Sequence, residues 1–383
     1  MFASELGPLC RSRGWSRARL ILELRRAATT QRVTLPPDDS LKRMAREWIN
    51  GRRGLSEFYA ELLTLAFGIE FLPGKPAEAP LEVEQTATDT ASDLEARLVS
   101  ASAVDATLVM LLEGQTQSLR LLDRRLGAAR LLAQTEAHLV QMSDLLVYSL
   151  PAGQRSSLAA AVAETAALAG WQALDLGDAT KSWRHHETAK AAAGEANNPA
   201  IVAHVTAQQA YALLDLDRAA DAQALIGSVR GAAKGKVPAL LGAWLALAES
   251  EAYAACGKSH QAFAAMDDAW TLLPDDPGGD ALPFVVLDEV HVERWRGHCL
   301  ARLGAAEAVD KLSVTIERLD PSFARAAAGV HCDLALAYSV RGARDEARQA
   351  ATKAAALAAQ TASVRQRRRI NRLLTSGGGR RGD

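Results

Sequence analysis

A chain of 383 residues with a 49% apolar share and a formal charge of −1 can hold two or three domains with ample core. No stretch approaches about 18 uninterrupted apolar residues and the start lacks an apolar leader, so neither secretion nor a membrane span is expected. The cysteines Cys10, Cys256, Cys299 and Cys332 have no CxxC spacing and read as reduced thiols of a cytosolic protein.

The near-zero total conceals an asymmetry. Residues 1–54 carry twelve Lys/Arg against five Asp/Glu, an excess of seven, which leaves the remainder at −8. A basic head on an acidic body suggests that the head meets a polyanion and the body does not. Alanine dominates the apolar residues and alternating β-branched runs are almost absent, so the expected class is all-α.

In chain order, Leu6 and Leu9 suggest a short first helix running to Arg13 and ending at Gly14. Ser16 is placed to cap a second helix with Leu20, Ile21 and Leu24 as its buried stripe. The segment 29–40, with Pro36-Pro37, reads as a loop. Leu41, Met44, Ala45 and Trp48 then recur at i, i+3, i+4 and i+7, so one face packs while Lys42, Arg43 and Arg46 project outward. Ser40 is the expected cap of this helix and Gly51 its stop. A fourth helix is expected over 55–69, with Phe58, Leu62, Leu65 and Ala66 facing inward.

These pieces form a known combination. Gly14-Trp15-Ser16, Leu20, Leu24, Leu41–Trp48, Gly51-Arg52-Arg53 and Leu62–Gly68 together resemble the helix-turn-helix domain of XRE (Cro/phage-repressor-like) regulators of the actinobacterial type. The resemblance implies that Ser40–Ile49 is a recognition helix entering the major groove and that helix 16–27 lies across the DNA backbone. On that reading Lys42, Arg43 and Arg46 are candidates for base edges. Arg17, Arg19, Arg52 and Arg53 suit phosphate contacts. Three departures stand out: a turn lengthened by roughly ten residues, Ile49 where the family commonly has an acid, and Arg17 in place of a polar residue.

An acidic stretch rich in Pro, Thr and Ala follows to Ser92 and reads as a flexible linker. From Asp93 a helical pattern runs to Leu126 with Leu94, Leu98, Val104, Leu108, Leu111, Leu112, Leu119 and Leu122 as its stripe, Gly114 marking a break. A second helix follows to Leu150. The segment Gln115–Ala128 is similar to one these regulators carry before their repeats, and Asp123-Arg124-Arg125 within it reads as a surface ion-pair cluster.

The remainder repeats when its turns are aligned. Gly177, Asp217, Gly257, Gly304 and Gly342 stand 38 to 47 residues apart. Seven positions earlier lie the small residues Gly170, Ala210, Ser250, Gly297 and Ala335, where antiparallel helices must approach closely. Tyr253 and Tyr338 lie four before two anchors. Ala222, Ala262 and Ala347 lie five after three, and Pro274 and Pro321 seventeen after two. These offsets resemble the tetratricopeptide pattern, so residues 156–375 are expected to form five helix pairs in a superhelical array.

His185-His186-Glu187 point in directions about 100° apart on a helix and read as surface rather than metal ligands. His291 and His298, interleaved with Trp295 and Arg296, read as a packing surface. Of Trp171, Trp183, Trp244, Trp270 and Trp295, most are expected in the core and a minority along a concave groove. The basic run Arg365–Arg372 reads as the complement of a helix C-terminus.

The expected organisation is all-α: a helix-turn-helix head over 1–70, a linker over 71–92, a tetratricopeptide-like repeat domain over 93–375 with 93–150 as capping helices, and a disordered tail over 376–383. The expected function is a cytoplasmic, nucleoid-associated transcriptional regulator that binds double-stranded DNA. Its body would sense a peptide or small molecule, form a homodimer, or both. The rival is a protein-interaction scaffold whose head no longer reads DNA. No phosphate loop, nucleophile elbow or HExxH occurs, so no enzyme, cofactor or metal is expected.

Overall fold

The computed structural model describes residues 5–31, 33–49, 54–73, 83–150, 154–276, 282–320 and 323–376. The expected stop at Gly51, the phosphate candidates Arg52 and Arg53, Pro321, positions 74–82 of the expected linker and the tail 377–383 lie outside them. Every regular element among the described residues is helical, with no strand, and the chain divides into two compact units, Met1–Ser92 and Asp93–Asp383. None of these helices is long and apolar enough to cross a membrane.

The first unit holds α1 (Leu6–Ser12), α2 (Arg17–Thr30), α3 (Asp38–Ile49) and α4 (Glu57–Phe67). Leu6, Leu20, Leu24, Leu41, Trp48 and Leu63 form its core, each almost wholly excluded from solvent. The Ser16 hydroxyl accepts the Arg19 N–H at 3.2 Å, as expected of a cap.

Two boundaries and one face differ from expectation. α3 starts at Asp38, so Ser40 lies inside it and donates its N–H to the Pro37 carbonyl at 3.0 Å. The cause is Arg25 of α2, which pairs with Asp38 and donates to the Pro36 carbonyl at 3.1 Å, pinning the loop at its proline end. α2 in turn extends to Thr30, which leaves 31–37 as the connection. On α4 it is Ala60, Leu62, Leu63 and Phe67 that face inward, while Phe58 and Leu65 are exposed. Trp15 at 4.4 Å and Phe71 at 5.7 Å take hold of Phe67, which rotates the buried stripe away from Leu65.

Helix α5 (Val83–Ser102) begins within the expected linker and runs across the division between the units. The break after it lies at 103–105, where the Asp105 carboxylate accepts the Leu108 N–H at 2.8 Å, and not at Gly114. α6 (Ala106–Leu126) buries Val109, Leu112, Thr116, Leu119, Arg120 and Asp123, leaving Leu111 and Leu122 of the expected stripe exposed. After a 3-10 turn over Ala128–Arg130 comes α7 (Leu132–Tyr148), and both helices pack on α8 (Arg155–Asp175).

Five antiparallel pairs follow: α8 with α9 (Ala179–Glu195), α10 (Pro199–Asp215) with α11 (Ala219–Ala233), and α12 (Ala239–Ala255) with α13 (Ser259–Leu272). Then α14 (Glu289–Leu303) pairs with α15 (Ala308–Arg318), and α16 (Ala324–Val340) with α17 (Arg344–Gln360). The turn residues Gly177, Asp217, Gly257, Gly304 and Gly342 all take left-handed φ between 60° and 78°, which is why glycine recurs there. The small positions are contact points. A Cβ on Gly170 would lie 2.6 Å from the His186 ring, and one on Gly297 2.5 Å from Leu312.

An eleventh repeat-unit helix, α18 (Val364–Ser376), returns to the beginning of the array and packs on α8, while α16 packs on α6. The second unit therefore closes on itself instead of remaining an open superhelix. Gly127, at the end of α6, sits against the Thr361 carbonyl at the end of α17, too close for any Cβ.

Candidate functional site

On α3 the four apolar positions of the heptad are buried and Lys42, Arg43 and Arg46 are exposed. At about 100° per residue these three basic side chains fall within one quarter to one third of the helix circumference. They differ in state. Lys42 is paired with Asp39 at 3.0 Å, and that hydrogen bond raises the ammonium pKa, whereas Arg43 and Arg46 are in no ion pair among the described residues. Arg17 and Arg19 are exposed in the first turn of α2, with Arg19 held by Glu23 at 2.7 Å. The acids Asp38 and Asp39 at the start of α3 favour its dipole and also dilute the positive field there. The strongest uncompensated charge on this face thus lies toward the middle of α3, at Arg43 and Arg46.

The second unit holds a cavity of about 410 Å³, open to solvent on one side, to which α6, α8, α10, α12, α14, α16 and α18 all contribute lining residues. Trp171, Tyr211, Trp244 and Trp295 form an aromatic file along it, with successive centroids 5.9, 6.5 and 6.4 Å apart. These include three of the five tryptophans, while Trp183 is exposed and Trp270 packs on the repeat core. His204 lies between Trp244 at 4.9 Å and Phe284 at 4.5 Å.

Charges interleave with the rings. Arg325 of α16 reaches Asp123 of α6 at 2.8 Å and Asp175 of α8 at 3.3 Å. Arg365 of α18 holds Asp215 at 2.8 Å while its guanidinium lies 5.5 Å over Trp171. Arg369 holds Asp333 at 2.5 Å, and Ser363 donates to Asp175 at 2.6 Å. Of the expected surface cluster Asp123-Arg124-Arg125, Asp123 is therefore an interior, paired group and only Arg125 is exposed. Of the expected helix-end run, Arg365 and Arg369 close the unit from within, while Arg367, Arg368 and Arg372 are exposed. One guanidinium serving two carboxylates leaves Asp123 raised by burial in spite of Arg325. Glu251 accepts the Trp295 indole N–H at 2.8 Å, and His298 donates to Asp333 at 2.9 Å. Burial disfavours charge on His298, but Asp333 and Glu251 overcome it and raise its pKa.

Arg294 is different. It stacks on Trp295 at 5.0 Å, its Nε has no hydrogen-bond partner, and it joins no ion pair among the described residues. Burial pushes its pKa down, with Glu251 and Asp333 only partly offsetting that loss. Tyr211 Oη, buried nearby, also has no hydrogen-bond partner among the described residues.

The other histidines singled out from sequence each have a partner of their own, and His186 is interior where a surface position was expected. His185 meets Glu136 at 2.9 Å, His186 is buried beneath Gly170 with its ring bonded to the Ser182 carbonyl at 2.8 Å, and His291 meets its own helix cap Asp288 at 2.6 Å. Among the described residues no group of three His, Cys, Asp or Glu side chains is arranged to hold a metal ion.

Comparison with known proteins finds no matching family, no similar curated protein and no matching solved structure. The cavity residues Arg120, Glu251, Arg294, Arg325 and Asp333 were not singled out from sequence. For Glu251 the signal was the pair of acids, Glu249 and Glu251, in the otherwise apolar helix ALLGAWLALAESEAYAA.

Proposed function

We propose that this protein is a DNA-binding transcriptional regulator. The first unit engages double-stranded DNA through α3, and the second senses a metabolite-sized molecule in its cavity. The observation that carries the reading is the exposed Lys42–Arg43–Arg46 face of α3, set on a helix whose opposite side is wholly buried, in a segment with seven excess positive charges. A rigid helix with a basic outer face is what a major-groove reader requires. The helix order and the Trp15-Ser16 cap support the resemblance to XRE regulators. A homodimer spanning two half-sites roughly 34 Å apart and a cytoplasmic, nucleoid-associated location belong to the same reading. The cavity volume of about 410 Å³ favours a small molecule over an extended peptide as effector, since small-molecule sites run from about 300 to 1,000 Å³. Bound effector would change DNA affinity, and DNA would change effector affinity by the same factor.

Genomic DNA recovered with the protein supplies a promoter fragment, against which binding is compared with random duplex over a range of salt. A regulator prefers its fragment by about 10³-fold or more. Arg43→Ala and Arg46→Ala should each cost about 1–3 kcal/mol on that fragment if they read bases, or flatten the salt slope by about one if they contact phosphate. Equal binding to all sequences at every salt, with both variants behaving as wild type, would establish the interaction scaffold instead.

A further inference from the structure

The proposed function leaves the chemistry of the effector open, and the cavity walls constrain it. Nine arginines and six aspartates or glutamates line the space. Each of those carboxylates is already engaged: Asp123 by Arg325, Glu164 by Arg120, Asp215 by Arg365, Asp217 by Arg372, Asp333 by Arg369 and His298, and Glu251 by Trp295 and His298. Arg302 and Arg368 are exposed at the rim. Two guanidiniums within the walls join no ion pair among the described residues, Arg124 on Phe323 at 5.7 Å and Arg294 on Trp295 at 5.0 Å.

A guanidinium stacked by its face on a ring keeps its edge N–H donors free, in the fork geometry that matches a carboxylate or phosphate. Leaving such a charge uncompensated away from bulk water is costly, and an anion brought by a ligand removes that cost. Beside Arg294 the file of Trp171, Tyr211, Trp244 and Trp295 presents flat apolar surface. Cationic fork and aromatic file lie on one cavity of about 410 Å³.

We propose that this cavity binds a small organic anion with a planar ring, its carboxylate or phosphate on Arg294 and its ring along the tryptophan file. The proposal rests on reading the cavity as the effector site but not on DNA binding by the first unit. Arg294 is a binding residue on this account, and Arg124 a second positive group that discourages cations from entering.

Calorimetric titration of the full chain at low ionic strength tests it with benzoate, 2-naphthoate and phenyl phosphate, against benzamide, 2-naphthamide and inorganic phosphate. At least one ring anion should bind saturably, and at least about tenfold more tightly than its neutral amide and than inorganic phosphate, the factor expected of a charge-assisted hydrogen bond. Whether a carboxylate or phenyl phosphate binds more tightly identifies the anionic group. Arg294→Met should abolish that preference while leaving the thermal midpoint unchanged or higher, because it removes an unpaired interior charge. Arg294→Lys, which keeps the charge without the fork, should fall between. Equal affinity for amide and anion, inorganic phosphate binding as well as the ring anions, an unaltered preference in both variants, or no binding by any ring anion overturns the proposal. Promoter binding is measured on the same sample, so ring-anion binding without sequence preference defeats the regulator reading alone. Promoter preference without ring-anion binding defeats this one alone.

Discussion

His204 illustrates how an interior position governs a residue's chemistry. Burial, assisted by Arg120 and His186, pushes its pKa down to about 3, far below the ordinary value near 6.5. Between those two values the unfolded chain takes up a proton that the folded protein refuses, so stability falls as pH drops through that window and is unaffected by this residue above it. His298 acts in the opposite sense. Its raised pKa contributes stability below the ordinary histidine value, and that contribution is lost as pH rises through the folded value. His204→Phe, which keeps a ring between Trp244 and Phe284, should flatten urea-unfolding free energy between pH 4 and 6 by up to about 1.4 kcal/mol per pH unit and leave the alkaline side unchanged. An acid limb as steep as that of the wild type would show that His204 is not the group refusing the proton. None of this was legible in sequence, because a histidine among alanines carries no mark of which ring will stand on either side of it.

At the scale of elements, the helices themselves were legible and their faces less so. Caps such as Ser16, turn glycines and small residues seven positions before each turn are local signals, and local geometry fixes their meaning. Gly170 and Gly297 were found by spacing alone, and each lies against the partner helix of its own pair. The faces of α4 and α6 were misjudged for different reasons, α4 because Trp15 and Phe71 engage Phe67, and α6 because its buried face is partly polar. An apolar-stripe rule assumes that the buried face is apolar, whereas α6 buries Thr116, Arg120 and Asp123 because the cavity is on that side. Likewise the basic run of α18 looked like a helix end, since its partners Asp215 and Asp333 are distant in sequence. The return of α18 depends on the turn before it, where Ala362 takes a left-handed φ of 52°. A Cβ in that region costs about 1–2 kcal/mol, partly offset by the greater chain entropy glycine loses on folding. Ala362→Gly should therefore stabilise the second unit by about 0.5–1 kcal/mol in denaturant unfolding. A loss of stability would mean that the methyl group packs where only strain has been inferred.

For the whole molecule, the two units are built on different principles. The first has a conventional apolar core running from Leu6 to Phe71, with Trp48 fully buried against Tyr59 at 4.8 Å. The second has alanine-rich helix pairs around a polar interior, closed by ion pairs of Arg325 that join α16 to α6 and α8. Buried ion pairs add little net stability relative to apolar packing, but removing one partner is costly, so they specify closure more than they strengthen it. Each unit should then answer to its own kind of damage. Trp48→Ala removes a large core side chain and should cost the first unit about 3–5 kcal/mol. Arg325→Met strands Asp123 and Asp175 and should cost the second about 3–5 kcal/mol. Differential scanning calorimetry of the full chain should resolve two transitions, with Trp48→Ala lowering one and Arg325→Met the other. Lowering the pH toward 5 should partly rescue Arg325→Met alone, because Asp123, which burial already holds above its ordinary pKa, can take up a proton once its guanidinium is gone. If both substitutions move a single transition together, the units fold as one, and a signal from the cavity would reach α3 through shared stability rather than through a change in either unit alone.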